Sequence, residues 1–377
     1  MNIKTTLLII LISVSSFAND GAYYASGNQL IPITETEICI TKEILTVLRK
    51  IENDESYVYV TVDYTFFNPG QEKTILVGFE APSPSGDVNG YPKNGAHPYI
   101  SKFDVLMNNG LIPFKTAIVN SENYYVNNTI DSKTEDDVIG EDFNANDPSF
   151  YYVYHFEAKF KPGINTVKHT YRFNMSGSMM EKYNFDYILT AANRWGNNQI
   201  DDFTLHIDMG ANENFILTNS FFKDKKEWTI DDGRSINYTS DYRDGLYSKF
   251  ITYTGGITFK KTNFKPTDEL YIHAPVTYMK ENYTSFDYKS HNLPELISLE
   301  NDEHPTCTKS VDETSFKILR NLPFALHGYV FETTVIQEFY LSQNWYKPNP
   351  EYQAKIETLK DVEKEWLEKV TSNKWDN

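Results

Sequence analysis

Apolar residues fall on every second position from Tyr57 to Asn68, where the chain reads YVYVTVDYTFFN. Val58, Val60, Val62, Tyr64 and Phe66 share one side, and Tyr57, Tyr59, Thr61, Asp63 and Thr65 share the other. Side chains alternate across a strand, so this period predicts a half-buried strand. Asn68-Pro69-Gly70 reads as a turn into a second strand, KTILVGFEAP. The pattern returns in FDVLMNNGLIPFKTAIV, where Asn108-Asn109-Gly110 is a hairpin signal. It returns again in FYYVYHFEAKF and NTVKHTYRF, which the Lys161-Pro162-Gly163 turn is expected to join as a hairpin. DYILTAANRW, DDFTLHIDM, NFILTNSFF and YSKFITYT continue the series. Many short strands with turn residues between them predict antiparallel β-sandwich packing over 19–279, in one or two units. A polar, acidic stretch of weak periodicity, 120–149, interrupts them and reads as a mobile surface insertion.

Past a low-order stretch at 280–309, read as a linker, the period changes from two to that of a helix. VDETSFKILRNL can open a helix, and Thr334-Val335-Ile336-Gln337 fits a capping box. Asn349-Pro350 sets an N-cap residue before a proline, and Ile356, Leu359, Val362, Trp366 and Val370 form one apolar stripe beyond it. The expected fold is mainly β with a small C-terminal α domain over 310–377.

The first eighteen residues, MNIKTTLLIILISVSSFA, have a basic start, a short apolar run and small residues before Asn19. This is the pattern of a signal peptide, so an exported chain, periplasmic or extracellular, is expected. The apolar run is too short to span a bilayer, and no transmembrane segment is expected. A formal charge of −17 repels nucleic acid and anionic lipid and removes nucleic acid from the expected partners. Aromatics make up 15% of the chain, which suits ring packing on pleated faces. Cys39 and Cys307 are the two cysteines, and an oxidising compartment permits either a bridge or two thiols.

Candidate chemistry is sparse. The chain contains no H-E-x-x-H, G-x-S-x-G, Walker or G-x-G-x-x-G motif. Ser176 and Ser178 in NMSGSMMEKY have no local partner that would make either a nucleophile. His155 and His169 are the best metal pair, as cross-strand neighbours in the expected hairpin, though they lack a third ligand. DFNANDP sets Asp142, Asn144 and Asn146 like the start of a calcium loop, then departs from it at Asp147 and Val153. Asn127, Asn174, Asn237 and Asn282 begin N-x-S/T sites, which matter only in a glycosylating host. No cofactor is expected.

The stretch FALHG, then YVF, then WYKP, resembles the YARHG domain, a small module of secreted bacterial proteins. Arg320-Asn321, Phe324, Ala325, His327, Gly328, Tyr329, Phe331, Trp345, Tyr346 and Pro348 carry the likeness. Phe324 replaces the motif's tyrosine and Leu326 its arginine, while Leu322 and Pro323 stand where a glutamate and a branched apolar residue are usual. Leu322 and Leu326 thus form an apolar pair on one helix face. Pro323 is expected to kink or restart the helix. Gly328 can close that helix in the left-handed conformation, and His327 favours its negative end. With no partner evident for it, His327 reads as structural. From Asn19 to Tyr271 the chain is also similar to a family of exported bacterial β-proteins of unknown function, Trp195 included. Together these resemblances imply a non-catalytic protein that binds or scaffolds at the cell wall or on another envelope protein. The alternative is an envelope hydrolase whose site assembles from distant residues.

Overall fold

The computed structural model describes residues 22–23, 29–33, 36–120, 124–140, 143–144, 148–178, 181–238, 245–275, 313–342 and 346–372. The expected leader and linker, together with Cys307 and Trp345, lie outside them. In chain order the main strands are β1 Gln29–Pro32, β2 Cys39–Glu52, β3 Glu55–Asn68, β4 Lys73–Pro82 and β5 Ile100–Met107. Next come β6 Lys115–Val119, β7 Tyr151–Phe160, β8 Gly163–Asn174, β9 Glu181–Tyr187 and β10 Ile200–Asp208. The last are β11 Glu213–Thr218, β12 Trp228–Tyr238, β13 Tyr247–Phe264 and β14 Leu270–Pro275. A smaller sheet runs β1-β4-β7-β6. The larger runs β9-β14-β11-β13-β10-β2-β3-β8-β5, with a two-residue strand beyond β5 and β12 paired to β13. Pairing is antiparallel except between β2 and β10, which run parallel from Ile40↔Ile200 to Leu48↔Asp208.

The expected β7–β8 hairpin does not form. β7 pairs with β4 and β6, whereas β8 pairs with β3 and β5 in the opposite sheet. Lys161-Pro162-Gly163 is a corner between sheets, and Asn68-Pro69-Gly70 is a second corner beside it, since Gly163 pairs with Asn68. Two buried asparagines hold these corners. Asn165 accepts from the Lys161 amide at 3.0 Å and donates to the carbonyls of Lys161 and Gly163 at 2.8 and 3.1 Å. Asn68 donates to the carbonyls of Gln71 and Phe160 at 2.9 and 3.3 Å. Their side chains supply the bonds that a hairpin ladder would otherwise have made.

Rings fill the space between the sheets. Phe79 of β4 lies 4.9 Å from Tyr171 of β8 and 5.0 Å from Phe103 of β5. Phe66 of β3 meets Phe160 of β7 at 5.4 Å and Trp195 at 4.4 Å. Each such fully buried ring contributes on the order of 1.5–3 kcal/mol. DYILTAANRW is strand only to Tyr187; Thr190–Arg194 is a 3-10 turn. Part of the acidic insertion is also anchored, because Tyr124 is buried and its hydroxyl donates to Glu80.

Strand β13 changes partners midway, pairing with β11 in its first half and β10 in its second. It bends at Gly255-Gly256, where a Cβ on Gly256 would lie 2.3 Å from the Ile207 carbonyl oxygen. Three helices follow: α1 Glu313–Leu326, α2 Thr334–Leu341 and α3 Asp361–Ser372. Ile318, Leu319, Leu322, Ile336, Tyr340 and Trp366 share one core with Ile251 and Tyr253 of β13. The helical block therefore packs on the β-region, with the Thr314 hydroxyl donating to Asp232 at 3.1 Å.

The helix signals hold in part. The α2 N-cap is Thr333, without a side-chain cap bond, so the expected Thr334 box is absent. Asn349 does not open α3; it forms a local turn, accepting from the Glu351 amide at 3.2 Å. Glu363 caps α3 instead, accepting from the Lys360 amide at 2.7 Å. Of the stripe, Leu359, Trp366 and Val370 are buried, while Ile356 and Val362 face solvent.

Candidate functional site

The motif residues surround the turn after α1. Pro323 stands inside that helix, which runs on without a break. Proline has no amide to give the carbonyl four residues back, here Leu319, and in an ordinary helix that loss breaks the ladder. The Trp366 indole of α3 donates to the Leu319 oxygen at 2.8 Å and fills the gap. The Tyr340 hydroxyl of α2 donates to the neighbouring Ile318 oxygen at 2.5 Å. The helix thus does not restart at Pro323, because a side chain from another helix replaces the donor that proline removes.

Gly328 then turns the chain with φ 83°, and a Cβ there would lie 2.5 Å from the Lys347 carbonyl oxygen. The position is closed to any other residue by conformation and by space. Its carbonyl accepts from the Asn349 amide at 2.7 Å, which pins the segment holding Tyr346 and the exposed Pro348 against the turn. The Tyr346 hydroxyl donates to the Tyr329 carbonyl at 2.6 Å. Gln337 accepts from the Phe331 amide at 2.7 Å, so the side chain expected in a capping box serves this turn. Ala325 and Phe331 are buried, and Phe324 and Tyr329 pack partly buried on the same core.

His327 has a partner that the sequence did not disclose. Its Nε2 lies 3.0 Å from Oε1 of the buried Glu363, and its ring stacks on Tyr352 at 5.3 Å. A carboxylate facing Nε2 makes that nitrogen the donor. The pair ties the end of α1 to the start of α3, and Glu363's other oxygen caps α3. A histidine held by a carboxylate is also how an active site orients a base. Among the described residues Glu363 is the one hydrogen-bond partner of the ring.

The other candidates do not converge. His155 and His169 lie in opposite sheets, because β7 and β8 do. His169 is fully buried among Tyr64, Phe79, Phe103 and Tyr171, and burial pushes its pKa down to about 3. Buried His97 is also driven to about 3; its Nδ1 accepts from the Tyr99 amide, so Nε2 donates to the Pro82 carbonyl at 3.1 Å. Ser176 donates to Asn184, and Ser178 accepts from the Glu181 amide. Among the described residues no cluster of three His, Cys, Asp or Glu could hold a metal. Asp142, Asn146 and Asp147 of the calcium-like loop lie outside the described residues. Cys39 is half-buried, and its candidate partner Cys307 lies outside the described residues.

A shallow depression of about 350 Å³ is lined by Asp186, Thr218, Ser220, Asp268, Glu269 and Tyr271. Glu269 is committed to the fold there, accepting from the amides of Leu189 and Thr190 at 2.6 and 3.1 Å. Those bonds cap the 3-10 turn and explain why DYILTAANRW leaves the sheet. No helix among the described residues is long and apolar enough to cross a membrane.

No curated protein matches the chain in sequence. Among solved structures, a candidate nutrient binding protein from Legionella pneumophila covers 93% of this chain and 100% of its own, with 17% identity and a TM-score of 0.43. Yeast LTA4 hydrolase in complex with bestatin covers 60% of this chain and 29% of its own, with 9% identity and a TM-score of 0.25. The resemblance read from FALHG holds across the whole helical block: residues 295–374 match the YARHG domain.

Proposed function

We propose that this is a non-catalytic protein of the bacterial envelope, exported and working as a binding or scaffolding component at the cell wall or on another envelope protein. One observation carries the reading: the motif residues His327, Gly328 and Tyr346 are engaged in holding a turn. Gly328 makes the corner, His327 clamps α1 to α3, and Tyr346 and Gln337 tie the backbone between them. The block they stabilise shares a core with β13, which suits a module presented on a rigid base. The match of 295–374 to a domain associated with exported proteins supports the location. Cys39 and Cys307 remain a proposed disulfide pair.

Co-sedimentation of the whole protein with isolated cell wall tests this. Retention at high salt, lost in an Ile356→Asp/Val362→Asp variant whose melting is unchanged, assigns wall contact to exposed residues of the helical block. A protein that stays in solution at low and high salt alike removes the wall as its target and leaves the envelope-protein partner to be sought by cross-linking.

A further inference from the structure

One charged residue type sits where the core cannot hold a charge. Glu43 lies on the inward side of β2, with Leu45 and Val47, and 3% of it is exposed. Its neighbours across the sheet are Tyr64 on β3 and Phe203 on β10. Over this point the hydroxyl of Tyr187, from β9, meets that of Tyr64 at 3.2 Å. On the other side of Tyr64 lies His169 of β8, its ring stacking 6.0 Å from Tyr64 and 5.9 Å from Tyr171. Arg49, farther along the same side of β2, is engaged by Glu213 at 2.8 Å, and among the described residues no cation pairs with Glu43. Ionising an uncompensated buried carboxyl costs several kcal/mol and is relieved by admitting water.

We propose that Glu43 is an alkali-sensitive latch between β9 and the β2–β3 pair. Protonated, it is accommodated beneath the Tyr64–Tyr187 contact; ionised, with its proton released to solvent, it draws water in and parts that contact. Burial alone pushes its pKa up to about 8, against an ordinary value of 4.5. Between those values the unfolded chain has lost this proton and the folded chain retains it. Stability from this group therefore falls as pH rises across that window. His97 and His169, neutral in the folded state above about 3, titrate near 6.5 in the unfolded chain, so their contribution rises with pH there, opposite in sign to that of Glu43.

The urea midpoint and the near-ultraviolet dichroism of the full protein, followed from about pH 6.5 to about pH 8.5, provide the test. The wild-type midpoint should decline across the range while the tyrosine dichroism weakens. Relative to wild type, Glu43→Gln should lose the decline in both signals, and Glu43→Met should do the same if the glutamine variant does not fold. Glu213→Gln, which strands Arg49 elsewhere in the fold, should lower the midpoint and keep the wild-type slope. Parallel slopes in wild type and in whichever Glu43 variant folds would overturn the proposal.

Discussion

At the scale of single residues, Pro323 and Trp366 act as one unit. Replacing Trp366 with Phe keeps the ring and leaves the Leu319 carbonyl buried without a donor, a loss of about 1–3 kcal/mol. Pro323→Ala restores an amide to that carbonyl, so the same Trp366→Phe change should cost much less in its presence. Urea unfolding of the two single variants and the double would measure a coupling of about 1 kcal/mol or more, and additive losses would show that the indole bond is dispensable. Proline in the sequence announced a broken helix because local rules see only the missing amide. The compensating donor sits more than forty positions later and on another helix, where no window of residues contains both. His327 and Glu363 were hidden in the same way: each is visible in the sequence, and only the fold makes them a pair.

At the scale of elements, strand identity was readable and strand partnership was not. Alternation marked β3, β4, β7 and β8 because half of each strand faces a core. The turns between them carry the same Pro-Gly chemistry whether the chain doubles back in one sheet or crosses to another. What selects the crossing is Asn68 and Asn165, whose side chains bond corner backbone. Asn165 makes three such bonds and accepts a fourth from the Asn108 side chain. Asn165→Ala should therefore cost about 2–4 kcal/mol in urea unfolding, at roughly 1 kcal/mol per bond. An effect below about 0.5 kcal/mol, the usual range of a surface substitution, would mean that the corner is set by strand pairing alone. β12 escaped notice because Asp231, Asp232 and Gly233 break its alternation at a bulge.

At the scale of the whole molecule, the helices and the sheets share buried side chains. The core that joins Tyr253 to Phe339, with ring centres 6.4 Å apart, couples the melting of the two parts. Calorimetry of the wild type should show one transition. Tyr253→Ser should split it, with the helical block melting first, and two transitions already present in the wild type would refute the coupling. The aromatic wealth of the composition is mostly interior: Trp195, Tyr152, Tyr171, Tyr183, Tyr253 and Tyr340 are among the largest fully buried side chains. On the outer face Tyr57 and Tyr59 are already occupied, with Arg172 over one ring and Lys50 and Lys102 over the other. Rings therefore report on the core here more than on ligands.

The parallel pairing of β2 with β10 also fixes an order of events. β2 finds one neighbour at once, across the tight turn at Asn53-Asp54, and must wait for the other until Ile200 and its neighbours have been made. Until then the hairpin has an open edge and half a core. Such distant closure is expected to fold more slowly than local pairing would, and the open β2 edge is the part of the sheet exposed longest.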